Sequence, residues 1–222
     1  MFFEIGAGQT PAQGVSCRDP RGRLLEATIE TVSLRGYDRS TVSRILSVAG
    51  LDDAVFDEHF HDKRDCFWQA LDELLGRGEC AALELFALKL PWAERVALGI
   101  ERLLQALADD PATARVLLVE VFGAGPEACE RRRVAVSLLT SLMEHGRAEG
   151  AGGAQLPPQT SEAVVGGVLS ILHRRALQGE TDGLPALRAD LTYFALLPYL
   201  DHERALAVAN RQSGVSVSTS AA

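Results

Sequence analysis

Apolar side chains recur every three or four residues along almost the whole chain, which is the spacing of helices that bury one face. Leu25, Ile29 and Val32 form the first such stripe, and Gly36 follows at a position where a helix commonly ends. No convincing stretch alternates with the period of two that half-buried strands show. The pattern therefore predicts an all-α protein of about nine helices without a sheet.

Two short helices separated by a glycine follow the first helix. The first of the pair, opened by Ser40 or Thr41, has apolar residues at relative positions i, i+3, i+4 and i+7 and ends at Gly50. Asp52 is suited to cap the second helix, which ends near Phe60. Two short helices joined by a tight glycine turn predict a helix-turn-helix within an N-terminal three-helix domain.

The remainder of the chain is predicted to form a helical bundle. Its helices begin near Asp62, Pro91, Pro111, Pro126, Gln159 and Leu184, the prolines being tolerated in a first helical turn. We divide the chain into a flexible N-terminal tail over 1–17, the helix-turn-helix domain over 18–78, a C-terminal domain over 79–204 and a flexible tail over 205–222.

Charge changes this picture more than composition does. Apolar residues make up 47% of the chain and the net charge is −8, so the protein is globular and any contact with DNA phosphates must be local. The four cysteines, at positions 17, 66, 80 and 129, have the spacing of neither a zinc site nor a disulfide scaffold. Without a signal peptide or an apolar run of roughly 20 residues, we expect a cytoplasmic protein.

The most specific sequence motif of the chain lies within residues 18–78. The segment RLLEATIETVSLRGYDRSTVSRILSVAGLDDAVFDEHFHDKRDCFWQAL contains RGY at the end of the first helix, then STVSRILSVAG, then a short helix ending in HF, then DKRDCF. This order and spacing resembles the DNA-binding domain of the tetracycline-repressor (TetR) family. The resemblance implies a dimeric regulator with an N-terminal helix-turn-helix and a C-terminal domain that senses a small molecule.

The resemblance also implies roles for individual residues. In the family, the Ser or Thr that opens the helix pair and the Lys after HF typically touch phosphates, which points to Thr41 and Lys63, each at a helix N-terminus where backbone amides favour an anion. The reading helix departs from the family pattern, with Asp53 where Lys is common, Asp57 where Tyr is common, and Glu58 as a further acid. The DNA-contacting residues are predicted to be Arg23, Arg39, Thr41, Arg44, Asp52, Asp53, Ala54, Asp57, His59 and Lys63.

These acids leave two interpretations open. Carboxylates can accept from cytosine N4 and read bases, but they oppose the electrostatic attraction that supplies most nonspecific affinity for DNA. In the first interpretation, the chain is a DNA-binding regulator, namely a repressor whose affinity for its operator is controlled by an effector. In the second, it is a degenerate TetR-fold protein that acts as a ligand-binding or protein-interaction module.

His59 and His61 do not share a helical face, so no metal site is predicted. No enzyme fingerprint is found, and we expect neither catalysis nor a cofactor.

Beyond residue 79 the resemblance is limited to the number and order of helices. Pockets in such bundles open between helices and are mostly apolar. Candidates for the lining of an effector pocket are Phe86, Trp92, Glu120, Phe122, Met143 and His145, each of which would also suit an ordinary core.

The last two predicted helices favour a homodimer. Their apolar positions cover more than one narrow stripe, so one side can pack within the domain and another on a second copy. The predicted interface residues are Val165, Val168, Leu169, Leu172, Leu187, Leu191 and Phe194. Two ordinary buried helices of a monomer are the alternative. A dimer with twofold symmetry would bind a near-palindromic double-stranded DNA operator.

Overall fold

The computed structural model describes residues 19–146 and 156–211, and these residues form ten α-helices and no strand, which confirms the all-α prediction. The helices are α1 (Pro20–Arg35), α2 (Val42–Ala49), α3 (Asp53–His59), α4 (Lys63–Ala87), α5 (Trp92–Asp109), α6 (Pro111–Leu118), α7 (Pro126–Glu144), α8 (Thr160–Gln178), α9 (Arg188–Leu196) and α10 (His202–Asn210). Two 3-10 helices, Glu120–Ala124 and Leu184–Leu187, lie between them.

The chain divides into two compact units, Met1–Ala70 and Leu71–Ala222. The boundary falls within the continuous helix α4 and not after residue 78, where the sequence placed it. Periodicity could not locate this boundary, because α4 keeps its helical pattern while the partners against which it packs change.

The first unit is held together by apolar side chains from all of its helices. Its fully buried large side chains include Leu24, Ile45, Phe56 and Phe67. Gly50 ends α2 with a φ of 64°, the left-handed conformation that disfavours any residue with a Cβ. The N–H of Leu51 donates to the carbonyl of Leu46 over 3.1 Å and closes this turn. The predicted order of helix, glycine turn and helix is thus present.

The second unit contains two apolar clusters. The first is formed by Trp92, Met143, Val164, Val165, Ala195, Leu196, Tyr199 and Ala205. The second is formed by Leu104, Leu107, Ala114, Leu118, Leu172, Ala176, Leu184 and Leu191. One buried polar pair joins α8 to the segment after α9, where the hydroxyls of Ser161 and Tyr199 lie 2.7 Å apart.

The C-terminal end corrects the sequence prediction. The helix α10 lies where a flexible tail was predicted from residue 205. Asp201 caps it by accepting from the N–H of Arg204 over 2.9 Å, and Ala205 and Ala209 are buried on its inner face. Two alanines four residues apart give a weak apolar signal, which is why the pattern did not reveal this helix. The predicted tail over 1–17, and residues 212–222 of the other, lie outside the described residues.

Candidate DNA interface and sensor domain

Helix α3, the predicted reading helix, is anchored by one side chain. Asp52 caps it by accepting from the N–H of Val55 over 3.1 Å. Phe56 is 2% exposed and packs against Phe60, with 5.6 Å between the ring centroids. Because only this side of a short helix is buried, the opposite side remains available to a partner.

The exposed side of α3 is acidic. Asp53, Ala54, Asp57 and Glu58 are all exposed, as is the cap Asp52. None of the carboxylates of this surface, those of Asp52, Asp53, Asp57 and Glu58, has an ion-pair partner among residues 19–146 and 156–211. Their negative charge is therefore uncompensated within this part of the chain and would repel a polyanion.

The cations available to DNA lie at the start of α2. The hydroxyl of Thr41 accepts from the N–H of Arg44 over 3.3 Å and so caps the helix. Arg39 and Arg44 are exposed, and neither guanidinium has a hydrogen-bond or ion-pair partner in the described segments. These three predicted residues therefore form a small exposed group that can contact phosphates.

Two other predicted phosphate contacts are engaged inside the unit. The Nζ of Lys63 donates to the carbonyl of Tyr37 over 2.9 Å and lies 4.2 Å from the centroid of its ring. The guanidinium of Arg23 donates to the carbonyls of Ala49 and Gly50, which end α2. Arg23 thus stabilises the glycine turn, a role that the sequence did not predict.

The start of α4 is fixed by a pair of aspartates. Asp62 accepts from the N–H of Asp65 over 2.8 Å, and Asp65 accepts from the N–H of His61 over 3.0 Å. The pair resembles a capping box, except that the second bond comes from the N–H of the residue before the N-cap. The hydrogen bond from the His61 backbone, followed by one from the Gln69 side chain, lowers the pKa of the Asp65 carboxyl.

His59, another predicted DNA-contacting residue of the first unit, lies at the end of α3. The ring of His59 is half-buried beside Phe60, with 6.3 Å between the ring centroids. Over the described residues, no group of three or more His, Cys, Asp or Glu side chains is placed to hold a metal ion.

The six predicted pocket residues separate into two groups in the second unit. Phe86, Trp92, Met143 and His145 come together where α4, α5 and α7 meet. The rings of Phe86 and His145 are edge to face at 5.0 Å, and the indole of Trp92 donates to the carbonyl of Leu142 over 3.1 Å. Trp92 and Met143 are 3% and 7% exposed, so they belong to the core of this conformation.

The other group surrounds an exposed aromatic ring. Phe122 is 50% exposed, with the guanidinium of Arg132 at 4.9 Å and the ring of His173 at 5.7 Å from its centroid. Glu120 forms an ion pair of 3.0 Å with Arg115. Burial lowers the pKa of the Arg132 guanidinium. The six residues thus lie at two places in the second unit, and their role in an effector pocket stays a prediction.

The predicted interface residues are likewise divided between core and surface. Val165, Leu172 and Leu191 are buried within the unit at 7%, 0% and 3% exposure, because they lie on the inner faces of α8 and α9. Phe194 is 43% exposed, and Leu197, the residue that follows α9, is 42% exposed. The partly buried predicted residues are Val168, Leu169 and Leu187.

A glycine makes room for the exposed phenylalanine. A Cβ added to Gly167 would lie 2.9 Å from the ζ carbon of Phe194, so the phenylalanine ring in its present position lies against α8 where there is no side chain. The exposed side of Phe194 and Leu197 is a surface that a partner chain could cover.

Comparison with solved structures identifies the fold. The fatty acid degradation regulator FadR from Bacillus halodurans has a TM-score of 0.72 at 18% identity, covering 86% of this chain and 97% of that one. FadR from Bacillus subtilis, solved in complex with stearoyl-CoA, has a TM-score of 0.67 at 19% identity, covering 79% and 97%. A TetR-family regulator from Bordetella parapertussis has a TM-score of 0.62 at 14% identity, covering 82% and 96%.

The sequence itself matches no protein-family model and no curated protein. The similarity is therefore one of fold, and the chain has the all-α fold of TetR-family transcription regulators. Within the described residues, no helix is long and apolar enough to cross a membrane.

Proposed function

We propose that this chain is a cytoplasmic, homodimeric transcription regulator of the TetR type, a repressor that binds a near-palindromic operator and responds to a small-molecule effector. The observation that carries the proposal is an exposed α3 set on the Gly50 turn, in a unit where Arg39 and Arg44 are exposed and have no partner among the described residues. The neighbours with this fold are transcription regulators, which supports the same function.

The charges of the first unit define how it would bind DNA. Arg39 and Arg44 of each subunit would give four phosphate contacts in a dimer, so the logarithm of affinity should fall with the logarithm of salt concentration with a slope of about −4. Lys63, whose ammonium keeps further donors, would steepen the slope. The carboxylates of α3 weaken nonspecific binding and are suited to accept from cytosine amino groups in the major groove.

The proposal is tested by selecting fragments of genomic DNA with the purified full chain and measuring the affinity of the enriched fragment by fluorescence anisotropy. Arg39→Gln and Arg44→Gln should each weaken binding by roughly tenfold, because each removes a charge-assisted hydrogen bond to phosphate. Arg102→Gln, an exposed arginine of α5, makes the same charge change in the second unit and should leave the affinity unchanged. No enrichment of any sequence would refute DNA recognition.

The second candidate is a TetR-fold protein that does not bind DNA. The observation that favours it is the set of four uncompensated carboxylates on α3. It predicts that the full chain enriches no fragment even at low salt, while it still dimerises and binds a ligand.

The effector and the dimer are assigned to the second unit. One neighbour with this fold is described as bound to stearoyl-CoA and another as a γ-butyrolactone receptor, so we infer that the effector is a small organic molecule. The exposed Phe194 and Leu197 supply the apolar surface for pairing with a second copy. Effector and operator would then weaken each other's binding by the same factor.

A further inference from the structure

A groove of about 610 Å³ lies within the first unit, between α1 and α2. Its lining residues are Thr31, Leu34, Arg35, Arg39, Arg44 and Val48. Thr31, Leu34 and Arg35 share one face of α1 because they are spaced by three and four residues, and Arg44 and Val48 share one face of α2 for the same reason. Two helices and the turn between them thus present a continuous surface.

The apolar part of this groove is unusually exposed. Leu34 is 75% exposed, more than any other large apolar side chain of the described residues, and Val48 is 40% exposed. Leu34 does not belong to the buried stripe of α1, whose members face the core. Because isolated apolar groups in water are unfavourable, the two side chains provide a contact for an apolar ligand.

The rim of the groove is cationic. The guanidiniums of Arg35, Arg39 and Arg44 have no ion-pair or hydrogen-bond partner in the described part of the chain. Three unpaired positive charges around one groove are complementary to an acid group that accepts several hydrogen bonds at once. The chain as a whole is acidic, with a net charge of −8, so this concentration of cations is a local feature.

A buried threonine closes the floor of the groove. Thr31 is 2% exposed and lines the groove, while its Oγ1 is shielded from solvent and has no hydrogen-bond partner in the described segments. Because this oxygen is shielded, a molecule in the groove meets the arginines and the two apolar side chains and not the Thr31 hydroxyl.

We propose that this groove binds a small amphipathic anion, a carboxylate or phosphate monoester with an aliphatic or ring body. The acid group lies among the three arginines, and the apolar body covers Leu34 and Val48. The volume is within the range of roughly 300–1,000 Å³ that small-molecule sites occupy. The site is separate from the effector site assigned to the second unit.

The proposal has a consequence that rests on the proposed function. Arg39 and Arg44 belong both to the groove and to the residues offered to DNA phosphates. A bound anion neutralises them, and it therefore competes with DNA for the same charges.

The test uses octyl phosphate and octanoate as probes of the full chain, with octanol and inorganic phosphate as the separate halves. Calorimetry should detect binding of at least one amphipathic acid, at least tenfold tighter than that of octanol or inorganic phosphate. The methyl NMR signals of Leu34 and Val48 should shift on titration. Equal binding of inorganic phosphate or of octanol would overturn the proposal, since one half of the ligand would then be sufficient.

Variants locate the site. Changing Arg35, Arg39 and Arg44 together to Gln should abolish binding of the probe, with the helical circular dichroism of the variant unchanged. Arg102→Gln is the matched control and should bind as the parent does. Binding that survives the triple change lies elsewhere and refutes the groove.

A titration with DNA separates failure of the groove proposal from failure of the proposed function. If an enriched duplex shifts the Leu34 and Val48 methyl signals while no probe binds, the groove is a surface for the DNA backbone, and this inference falls while the proposed function stands. If the probe binds at the groove and no DNA fragment is enriched, the proposed function falls and the groove stands.

Discussion

The acidic face of α3 allows a direct test of whether this unit binds DNA through that helix. Asp53 and Asp57 are exposed and unpaired among the described residues, so Asp53→Asn together with Asp57→Asn removes two negative charges per subunit with little change in shape. Because Phe56 still anchors the helix and Asp52 still caps it, the double variant should fold as the parent does.

The expected gain follows from Coulomb's law. A carboxylate on a helix in the major groove, about 8 Å from a phosphate, is repelled by about 0.5 kcal/mol in water. Four carboxylates removed from a dimer give about 2 kcal/mol, or roughly thirtyfold tighter binding at low salt. At 0.15 M salt, where the Debye length is about 8 Å, the gain should shrink to roughly a third in free energy and to about threefold in affinity.

The assay is fluorescence anisotropy with a labelled duplex of arbitrary sequence, so that only nonspecific binding is measured. Glu84→Gln with Glu127→Gln, two exposed acids of the second unit, makes the same change of charge and should alter the affinity much less. If the two double variants behave alike at low salt, α3 does not face DNA, and the reasoning from its position in the helix-turn-helix is refuted.

Three further predictions address the dimer and the stability of the fold. Phe194→Asp should give monomers in light scattering, whereas Leu83→Asp, at an exposed position of a different helix, should leave the proposed dimer intact. A Phe194→Asp protein that is still dimeric would place the interface elsewhere. Gly50→Ala should lower the free energy of unfolding by about 1–2 kcal/mol because Ala disfavours a φ of 64°. Gly76→Ala, with open space around its Cβ, should instead raise the free energy of unfolding by about 0.5–1 kcal/mol. Equal effects of the two changes in denaturant titrations would contradict this account of the turn. Because the folded pKa of Asp65 is lowered, its stabilisation is present above the unfolded value of 3.8 and is lost as pH falls through the folded pKa. Asp65→Asn should thus cost up to about 1 kcal/mol at pH 7 and nothing in strong acid, and a pH-independent difference in unfolding free energy would show that the charge is irrelevant.

Local signals explain why the helix-turn-helix could be predicted. Gly50, Thr41 and Asp52 mark the end of one helix and the caps of two, and each acts on backbone atoms within a few residues. The apolar stripe of α2 then assigns Ile45 to the core, whereas the pattern of α3 fits either Val55 or Phe56, of which the structure buries Phe56.

The contacts that the sequence did not reveal concern side chains whose partners are distant in sequence. Arg23 reaches the carbonyl of Ala49 across 26 positions, and Lys63 reaches that of Tyr37 across the same separation. Spacing along a helix carries no information about such bonds. The same limit divided the predicted pocket, since the apolar character of Trp92 and the charge of Glu120 do not tell which helix each will face.

One signal for the α1–α2 groove was present in the sequence. Leu34 lies out of phase with the stripe of Leu25, Ile29 and Val32, so helical periodicity alone places it on the outer side of α1. The arginines beside it look like ordinary surface charges until the fold brings α1 and α2 together. An out-of-phase leucine close to several cations is thus a feature to examine in related sequences.

The distribution of charge in the first unit has a consequence for specificity. Nonspecific affinity comes from phosphate contacts, and in this unit Arg39 and Arg44 stand against four carboxylates, those of α3 and of its cap Asp52. If the unit binds DNA as proposed, it should bind arbitrary DNA weakly, so contacts to base edges would supply a larger share of operator affinity than they do in a basic reading helix. The ratio of specific to nonspecific affinity should therefore be high. It should also change little with salt, because the few phosphate contacts are common to both modes of binding.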